Sequence, residues 1–200
     1  MNRIGVFGGS FDPPHIGHVY LARQAISECM LDQVIVVPVG GQPFKREQQA
    51  AAGEHRYNMA NLAFEHDSNV LVSDIEIKKG GISYTADTLR EIKQLYGEDA
   101  DVSFILGADA FLKLEKWKNF EELVDCYSFI AGTRPGYRNE ELQQFIARLV
   151  ESRNAKVTTV CNRQVPVSST EIREMLRTGK GFCRFVPAEV ERYIRANGLY

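Results

Sequence analysis

The chain has 200 residues, 44% hydrophobic and 25% charged, which is the length and composition of one ordinary globular domain over residues 1–200. Its formal net charge of −2 argues against nucleic acid as a partner, because nucleic-acid-binding surfaces are strongly basic. Four scattered cysteines without a CxxC pair, no N-terminal signal sequence and no long apolar run predict a reduced, cytoplasmic protein that does not enter a membrane.

The first thirty residues predict a strand, a glycine turn and a helix. Residues 3–7 form a short apolar run typical of a buried strand, and Gly8 and Gly9 predict a sharp turn with accessible backbone N–H groups. Apolar residues then recur at helical spacing. His15 and His18 are therefore expected together at the start of a helix, beside its positive dipole end. This arrangement is typical of a polyphosphate site.

Strand and helix patterns alternate along the remaining chain. The predicted strands are 33–39, 69–77, 101–106, 127–131 and 156–160, and the predicted helices are 54–66, 85–96, 120–124, 140–152, 168–177 and 187–196. Thr85 is expected as an N-cap, and Pro187 and Gly198 are expected at the first position of the last helix and just beyond its end. The alternation implies right-handed crossovers and an α/β fold, a Rossmann-like doubly wound parallel sheet with C-terminal helices.

Ligands bind such sheets at the carboxyl ends of the strands, near the point where the strand order reverses. The loops after strands one, two, four, five and six are expected to converge there. These loops hold nearly all the candidate functional residues of the sequence, which favours a single active site.

Residues 8–18 read Gly-Gly-Ser-Phe-Asp-Pro-Pro-His-Ile-Gly-His. This stretch resembles the Gly-Gly-x-Phe-Asp-Pro-x-His-x-Gly-His hallmark of the adenylyl- and cytidylyltransferases, with every fixed position filled. The resemblance implies that His15 and His18 are catalytic and stabilise charge on a triphosphate. The ATP-binding residues that it implies in this stretch are Gly8, Gly9, Ser10, Phe11, His15 and His18. Two alternatives remain open: half of a metal site, although no Cys, Asp or Glu stands at a helpful spacing, or two ordinary partly buried histidines.

A second motif, Ser-Ser-Thr-Glu-Ile-Arg, occupies residues 168–173. Ser168 and Glu171 have the spacing of a capping box, so one interpretation is simply a well-capped helix. The other hydroxyls and the arginine offer donors for anionic oxygens at a favourable dipole end. The segment also resembles the Ser-Ser-Thr-x-Ile-Arg signature of the same transferases, which implies that Ser168, Ser169, Thr170 and Arg173 contact the β- and γ-phosphates of ATP.

The middle of the chain indicates the second substrate. Residues 104–109, Phe-Ile-Leu-Gly-Ala-Asp, together with Leu114 and Trp117, resemble a block of the bacterial nicotinate mononucleotide adenylyltransferases. The resemblance implies that Gly107 permits close approach of the nucleotide and that Asp109 accepts hydrogen bonds from ribose hydroxyls. It also implies that Trp117 stacks on the pyridine, although a single tryptophan in a partly apolar segment is often a core residue.

Tyr84 and Thr85 resemble the family segment that receives the pyridine ring, where a helix N-terminus would suit the nicotinate carboxylate. The alternative is that Thr85 is only a cap. By the same resemblance, Lys45 and Arg56 would hold the mononucleotide phosphate. The family usually has Pro-Pro-His-Lys where residues 42–45 here read Gln-Pro-Phe-Lys, so the lysine is kept and the histidine is lost. Arg134 resembles the adenine-side arginine of the family, or is a surface turn residue.

The resemblance implies that the 5′-phosphate of nicotinate mononucleotide attacks the α-phosphorus of ATP and gives deamido-NAD and pyrophosphate. ATP and nicotinate mononucleotide are then the expected partners, and a homo-oligomer remains open. Mg²⁺ is expected to accompany ATP, with Asp12 as a weak candidate ligand and no dedicated metal site.

Three other functions share features with this sequence. A sister transferase acting on nicotinamide mononucleotide, phosphopantetheine or a cytidylyl substrate would share both motifs. A dehydrogenase is disfavoured because the glycines do not form GxGxxG and no acidic residue ends the second strand. A non-catalytic nucleotide sensor is disfavoured by the intact histidines and Arg173.

Overall fold

The computed structural model describes residues 2–40, 51–133, 139–161 and 167–200. Within these ranges, six strands form one sheet in the order β3-β2-β1-β4-β5-β6, and each adjacent pair is parallel. The strands are β1 Arg3–Gly9, β2 Gln33–Pro38, β3 Val70–Val72, β4 Asp101–Gly107, β5 Ser128–Thr133 and β6 Lys156–Cys161. The predicted doubly wound parallel sheet is therefore confirmed.

Helices cover both faces of the sheet. Their bounds are α1 Ile16–Cys29, α2 Gly53–Phe64, α3 Ile75–Lys79, α4 Thr85–Tyr96, α5 Ala108–Phe111, α6 Phe120–Cys126, α7 Asn139–Arg153, α8 Ser169–Arg177 and α9 Ala188–Ala196. Short 3₁₀ turns lie at Leu114–Lys116 and Cys183–Phe185. Helices α1, α2, α8 and α9 pack into one apolar layer, and α4, α5, α6 and α7 pack into the other. No helix in the described ranges is long and apolar enough to cross a membrane.

The strands supply both layers because successive side chains point to opposite faces. In β4, Phe104 and Leu106 belong to one layer and Ile105 to the other. The strand order reverses between β1 and β4, which are neighbours in the sheet. The loops that leave the carboxyl ends of these two strands therefore border the crevice where a ligand is expected.

The predicted strand at 69–77 is wrong beyond its first residues. Strand β3 ends at Val72, and Ser73 N–H still donates to Val36 O of β2. The Ser73 hydroxyl then accepts the N–H of Ile75, and the chain enters α3. The apparent alternation hid the fact that Glu76, between two apolar residues, is the buried side chain of this helix.

Helix ends differ from the predictions by one or two residues. Tyr84, not Thr85, is the N-cap of α4, and Pro187 is the N-cap of α9 instead of its first residue. Gly198 lies just beyond the C-cap, as predicted, with a left-handed φ of 58°. The other boundaries shift within the range over which helix ends fray.

Candidate active site

The loop after β1 differs from the predicted glycine turn. Strand β1 continues through Gly9, which is paired with Pro38 of β2. A Cβ on Gly8 would lie 3.0 Å from the Phe104 ring, and one on Gly9 would lie 3.1 Å from the Phe11 ring. Each glycine therefore leaves room for an aromatic ring that a Cβ would crowd. The left-handed residue of the loop is Phe11, with a φ of 48° and a ring that is fully buried.

The two histidines lie at the start of α1, as predicted. His15 is its N-cap and His18 its third residue, and the backbone N–H of His15 donates to His18 Nδ1 over 3.1 Å. The rings stack with centroids 3.7 Å apart, and the Phe11 ring lies 5.0 Å from that of His18. Because Nδ1 of His18 accepts a hydrogen bond, a neutral ring carries its hydrogen on Nε2. His18 is thereby prepared to donate from Nε2.

The second motif meets the first in this loop. Ser168 caps α8 through a reciprocal capping box with Glu171. Ser169 Oγ donates to Pro13 O over 2.8 Å, and Arg173 Nη1 donates to Asp12 O over 2.6 Å, across 161 positions of sequence. The expected meeting of the two motifs is confirmed, while the individual contacts to ATP remain predictions.

This meeting sets the electrostatics of the site. The N-termini of α1 and α8 come together, and each helix end has backbone N–H groups and a partial positive charge. Arg173, half-buried, adds a full positive charge and also donates to Thr170 Oγ1 over 3.3 Å. Two helix ends, a guanidinium and two imidazoles therefore adjoin one loop, and groups of this kind favour a polyphosphate.

Arg56 is buried and holds backbone from three segments. Its Nε donates to Ala51 O over 3.2 Å, Nη1 to Ser10 O over 3.0 Å and Nη2 to Gly40 O over 3.4 Å. Burial lowers the pKa of the guanidinium from its ordinary value, and the nearby Asp12 carboxylate opposes this effect. The observed bonds join the loops after β1 and β2 to α2, and a contact from Arg56 to a substrate phosphate stays a prediction.

Replacing Arg56 with Lys is expected to lower the free energy of unfolding by about 1–3 kcal/mol, because one ammonium group cannot serve three buried carbonyls. Urea denaturation measures this change. The matched control is Arg192→Lys, at an exposed arginine paired with Glu189, which should change stability by about 0.5 kcal/mol or less. Equal stability of the two variants would show that the three bonds of Arg56 do not hold the loops.

Gly107 and Asp109 lie at the end of β4, beside the reversal of strand order. No protein atom lies within 4 Å of the position that a Cβ on Gly107 would take, so packing within the described part of the protein does not require glycine there. Asp109 is exposed in the first turn of α5. Both residues are exposed, and their contacts to a nucleotide stay predictions.

A contact of Lys118 links the two segments that are predicted to receive the pyridine. Trp117 is half-buried, with its ring edge-to-face on Phe104 at 5.9 Å between centroids. The next residue, Lys118, places its Nζ 3.9 Å from the centre of the Tyr84 ring. Trp117 is thus both part of the apolar layer and partly accessible to solvent, and its neighbour Lys118 contacts the N-cap residue of α4.

Sequence reasoning missed Glu76, a buried carboxylate in α3. Its Oε1 accepts from Thr88 Oγ1 over 2.6 Å, and its Oε2 accepts from Gly40 N–H over 3.3 Å. Glu76 thus joins α4 to the loop after β2. A Cβ on Gly40 would lie 2.4 Å from the carbonyl oxygen of Glu76, which explains the glycine. The predicted site residues Lys45 and Arg134 lie outside the described residues.

No group of three or more His, Cys, Asp or Glu residues in the described ranges lies close enough to hold a metal ion. The Asp12 carboxylate is 1% exposed and already accepts hydrogen bonds from Tyr200 Oη and Ala51 N–H. Asp12 therefore does not fit as a metal ligand. A divalent ion that accompanies ATP would be bound by the phosphates of the nucleotide, as Mg²⁺ commonly is.

Comparison with known proteins identifies the family. The cytidylyltransferase-like family model matches residues 6–175. Two curated relatives are probable nicotinate-nucleotide adenylyltransferases: that of Thermoanaerobacter sp. (strain X514) is 38% identical over 99% of this chain and 94% of the relative. That of Thermus thermophilus is 40% identical over 99% of each. The chain belongs to the nicotinate-nucleotide adenylyltransferases. The family predicted from the motifs is confirmed.

Solved structures share the fold of the family member described here. The nicotinic acid mononucleotide adenylyltransferase of Plasmodium falciparum, complexed with NaAD, superposes with a TM-score of 0.83 over 100% of this chain and 98% of that one, at 21% identity. The same protein complexed with APC gives a TM-score of 0.80. The Rossmann-like architecture of this family member is thus one that solved structures also have.

Proposed function

We propose that this chain transfers the adenylyl group of ATP to nicotinate mononucleotide and releases deamido-NAD and pyrophosphate, a step of NAD biosynthesis. The observation that carries the proposal is the joining of the two motifs, in which Ser169 and Arg173 of α8 bond to the loop that leads to His15. Relatives that match this chain along nearly its whole length bear the name of this activity.

The chemistry needs alignment and charge stabilisation. The nucleophile is a phosphate oxygen that is already an anion, so no general base and no covalent intermediate are required. Catalysis then comes from holding two anions in line and from donors that meet the charge developing on the α-phosphoryl group. The stacked pair His15 and His18 supplies these donors, and the engagement of His18 Nδ1 by backbone leaves Nε2 as its donor atom.

The triphosphate would lie between the two helix N-termini. Ser168, Ser169, Thr170 and Arg173 would hold the β- and γ-phosphates, and the backbone from Gly8 to Phe11 would border the nucleotide. Arg173 donates through Nη1 to the loop and retains other N–H groups for an anion, because a guanidinium has five donors. Asp109 would bind the ribose, and Arg134 would lie on the adenine side.

The mononucleotide would lie beside the start of α4. Trp117 and Tyr84 would flank this position, and the N-terminus of the 12-residue helix α4 would favour the nicotinate carboxylate. Lys45 and Arg56 would supply positive charge for the 5′-phosphate. Mg²⁺ would arrive as part of the ATP substrate, and the cytoplasm is the proposed location.

Pyrophosphate release is expected to require a pyridine mononucleotide as well as ATP, with nicotinate mononucleotide as the better acceptor. A coupled assay with ATP and each candidate acceptor in turn (nicotinate mononucleotide, nicotinamide mononucleotide, phosphopantetheine) measures this dependence. If the protein binds ATP but releases no pyrophosphate with any of the acceptors, it is a nucleotide sensor. Release with phosphopantetheine alone would indicate the sister transferase.

The kcat/KM for nicotinate mononucleotide is expected to exceed that for nicotinamide mononucleotide by about fivefold or more, because a carboxylate at a helix N-terminus gains roughly 1 kcal/mol over a neutral group. Side-by-side initial rates with the two mononucleotides at fixed ATP measure the ratio. A ratio near or below one would show that the N-terminus of α4 does not discriminate between the two mononucleotides.

A further inference from the structure

Tyr200 is distant in sequence from the histidines, yet its side chain reaches their loop. Tyr200 Oη lies 2.6 Å from Asp12 Oδ1, across 188 positions of sequence. Helix α9 ends at Ala196, and left-handed Gly198 turns the backbone so that Leu199 N–H donates back to Ile194 O. The residues after α9 therefore follow a defined path that brings the Tyr200 phenol against the loop after β1.

The Asp12 carboxylate that Tyr200 contacts is one of the most buried charges of the protein, with 1% exposure. Ala51 N–H donates to the same Oδ1 over 3.2 Å, and Arg173 Nη1 lies 4.0 Å from Oδ2. Burial and the adjacent Asp12 charge raise the pKa of Tyr200 well above its ordinary value, so the phenol keeps its proton and donates it. A buried carboxylate depends on such donors for its position.

Asp12 is also the point at which the second motif holds the loop. Its carbonyl accepts from Arg173 Nη1 over 2.6 Å, and the next carbonyl, of Pro13, accepts from Ser169 Oγ over 2.8 Å. His15 follows closely as the cap of α1. A displacement of Asp12 would therefore move both Arg173 and the cap residue His15.

We propose that Tyr200 is a positioning residue for adenylyl transfer, which holds the Asp12 carboxylate and thereby aligns Arg173 and the histidine pair on the triphosphate. This inference rests on the proposed function. Tyr200 acts through Asp12 and does not itself contact the nucleotide. Because Asp12 bonds to Arg173 and leads to His15, the influence of Tyr200 falls mainly on the ATP side of the reaction.

Tyr200→Phe tests this role because it keeps the ring and removes only the hydroxyl. The kcat for pyrophosphate release is expected to fall about tenfold, the effect of losing a hydrogen bond to a charged group, while KM for nicotinate mononucleotide stays within about twofold. The matched control is Tyr193→Phe in α9, whose hydroxyl bonds to His55 Nδ1 and Asn58 Nδ2, both at 3.0 Å. This control should lose stability and keep its kcat at temperatures well below its Tm.

A double-mutant cycle separates positioning from general stabilisation. In an Asp12→Asn background, Tyr200→Phe should lower kcat by about threefold or less, because the charged partner is already gone. An unchanged kcat in Tyr200→Phe, an equal loss in both backgrounds, or the same loss in Tyr193→Phe would overturn the inference. These outcomes presuppose an active wild type. A wild type that releases no pyrophosphate would instead refute the proposed function, and the inference with it.

Discussion

Replacing His18 with Ala is expected to lower kcat by about 10²-fold or more, because donors aimed at developing charge contribute at least that much to such reactions. His18 Nδ1 is engaged by the backbone N–H of His15, so Nε2 is the atom that would donate to the α-phosphoryl oxygen. KM for both substrates should change far less than kcat, since the donor acts mainly in the transition state. Steady-state pyrophosphate release measures both constants.

His18 Nδ1 also accepts the backbone N–H of His15 at the start of α1. The alanine variant therefore loses a hydrogen-bond acceptor as well as a donor. His18→Asn separates the two roles, because an amide oxygen can accept from the His15 N–H but offers no imidazole. It should be as slow as the alanine variant and more stable. His66→Ala, at a histidine whose side chain is 79% exposed, should keep the wild-type kcat. Near-normal turnover of His18→Ala would remove the histidine pair from the mechanism.

Replacing Arg173 with Lys is expected to lower kcat/KM for ATP by about 10- to 100-fold, because a charge-assisted hydrogen bond contributes roughly 1.5–3 kcal/mol. The guanidinium can bond to Asp12 O and to a phosphate at once, since its donors form a rigid fork. A lysine ammonium at the end of a flexible stem cannot reproduce both contacts. The measurement is initial rate against ATP at saturating mononucleotide.

Arg177→Lys provides the control on the same helix. Arg177 lies one turn further along α8, 73% exposed, and pairs with Glu174 instead of the loop. Its replacement should leave kcat/KM for ATP unchanged. If Arg173→Lys matches Arg177→Lys, the positive charge of α8 is not used on the triphosphate and the joined motifs have only a structural role.

The parallel sheet was predictable because each buried strand leaves an apolar run and each crossover helix leaves a periodic one. The prediction failed where these signals mislead. Residues 69–77 alternate like a strand, but pairing with β2 ends at Ser73, and Glu76 turns inward to bond with Thr88. Gly8 and Gly9 suggested a turn, whereas the strand continues and the glycines make room for the rings of Phe104 and Phe11.

The part of the site that lies within the two motifs could be predicted from the sequence. His15, Ser169 and Arg173 carry local patterns, and the fold brings them to one loop. The contact of Tyr200 with Asp12 leaves no such pattern. Tyr200 and Asp12 come together only in the folded structure, and the residues around each of them do not predict this contact. Long-range hydrogen bonds of this kind are decided by tertiary packing, which spacing along the chain does not encode.

The bonds from α8 and Tyr200 back to Asp12 also have a consequence for biosynthesis. A nascent chain that still lacks residues 167–200 already contains every strand of the described sheet, with both imidazoles at the start of α1. It has neither the guanidinium of Arg173 nor the phenol that reaches Asp12. During translation, therefore, the six described strands leave the ribosome before the donors that hold Asp12.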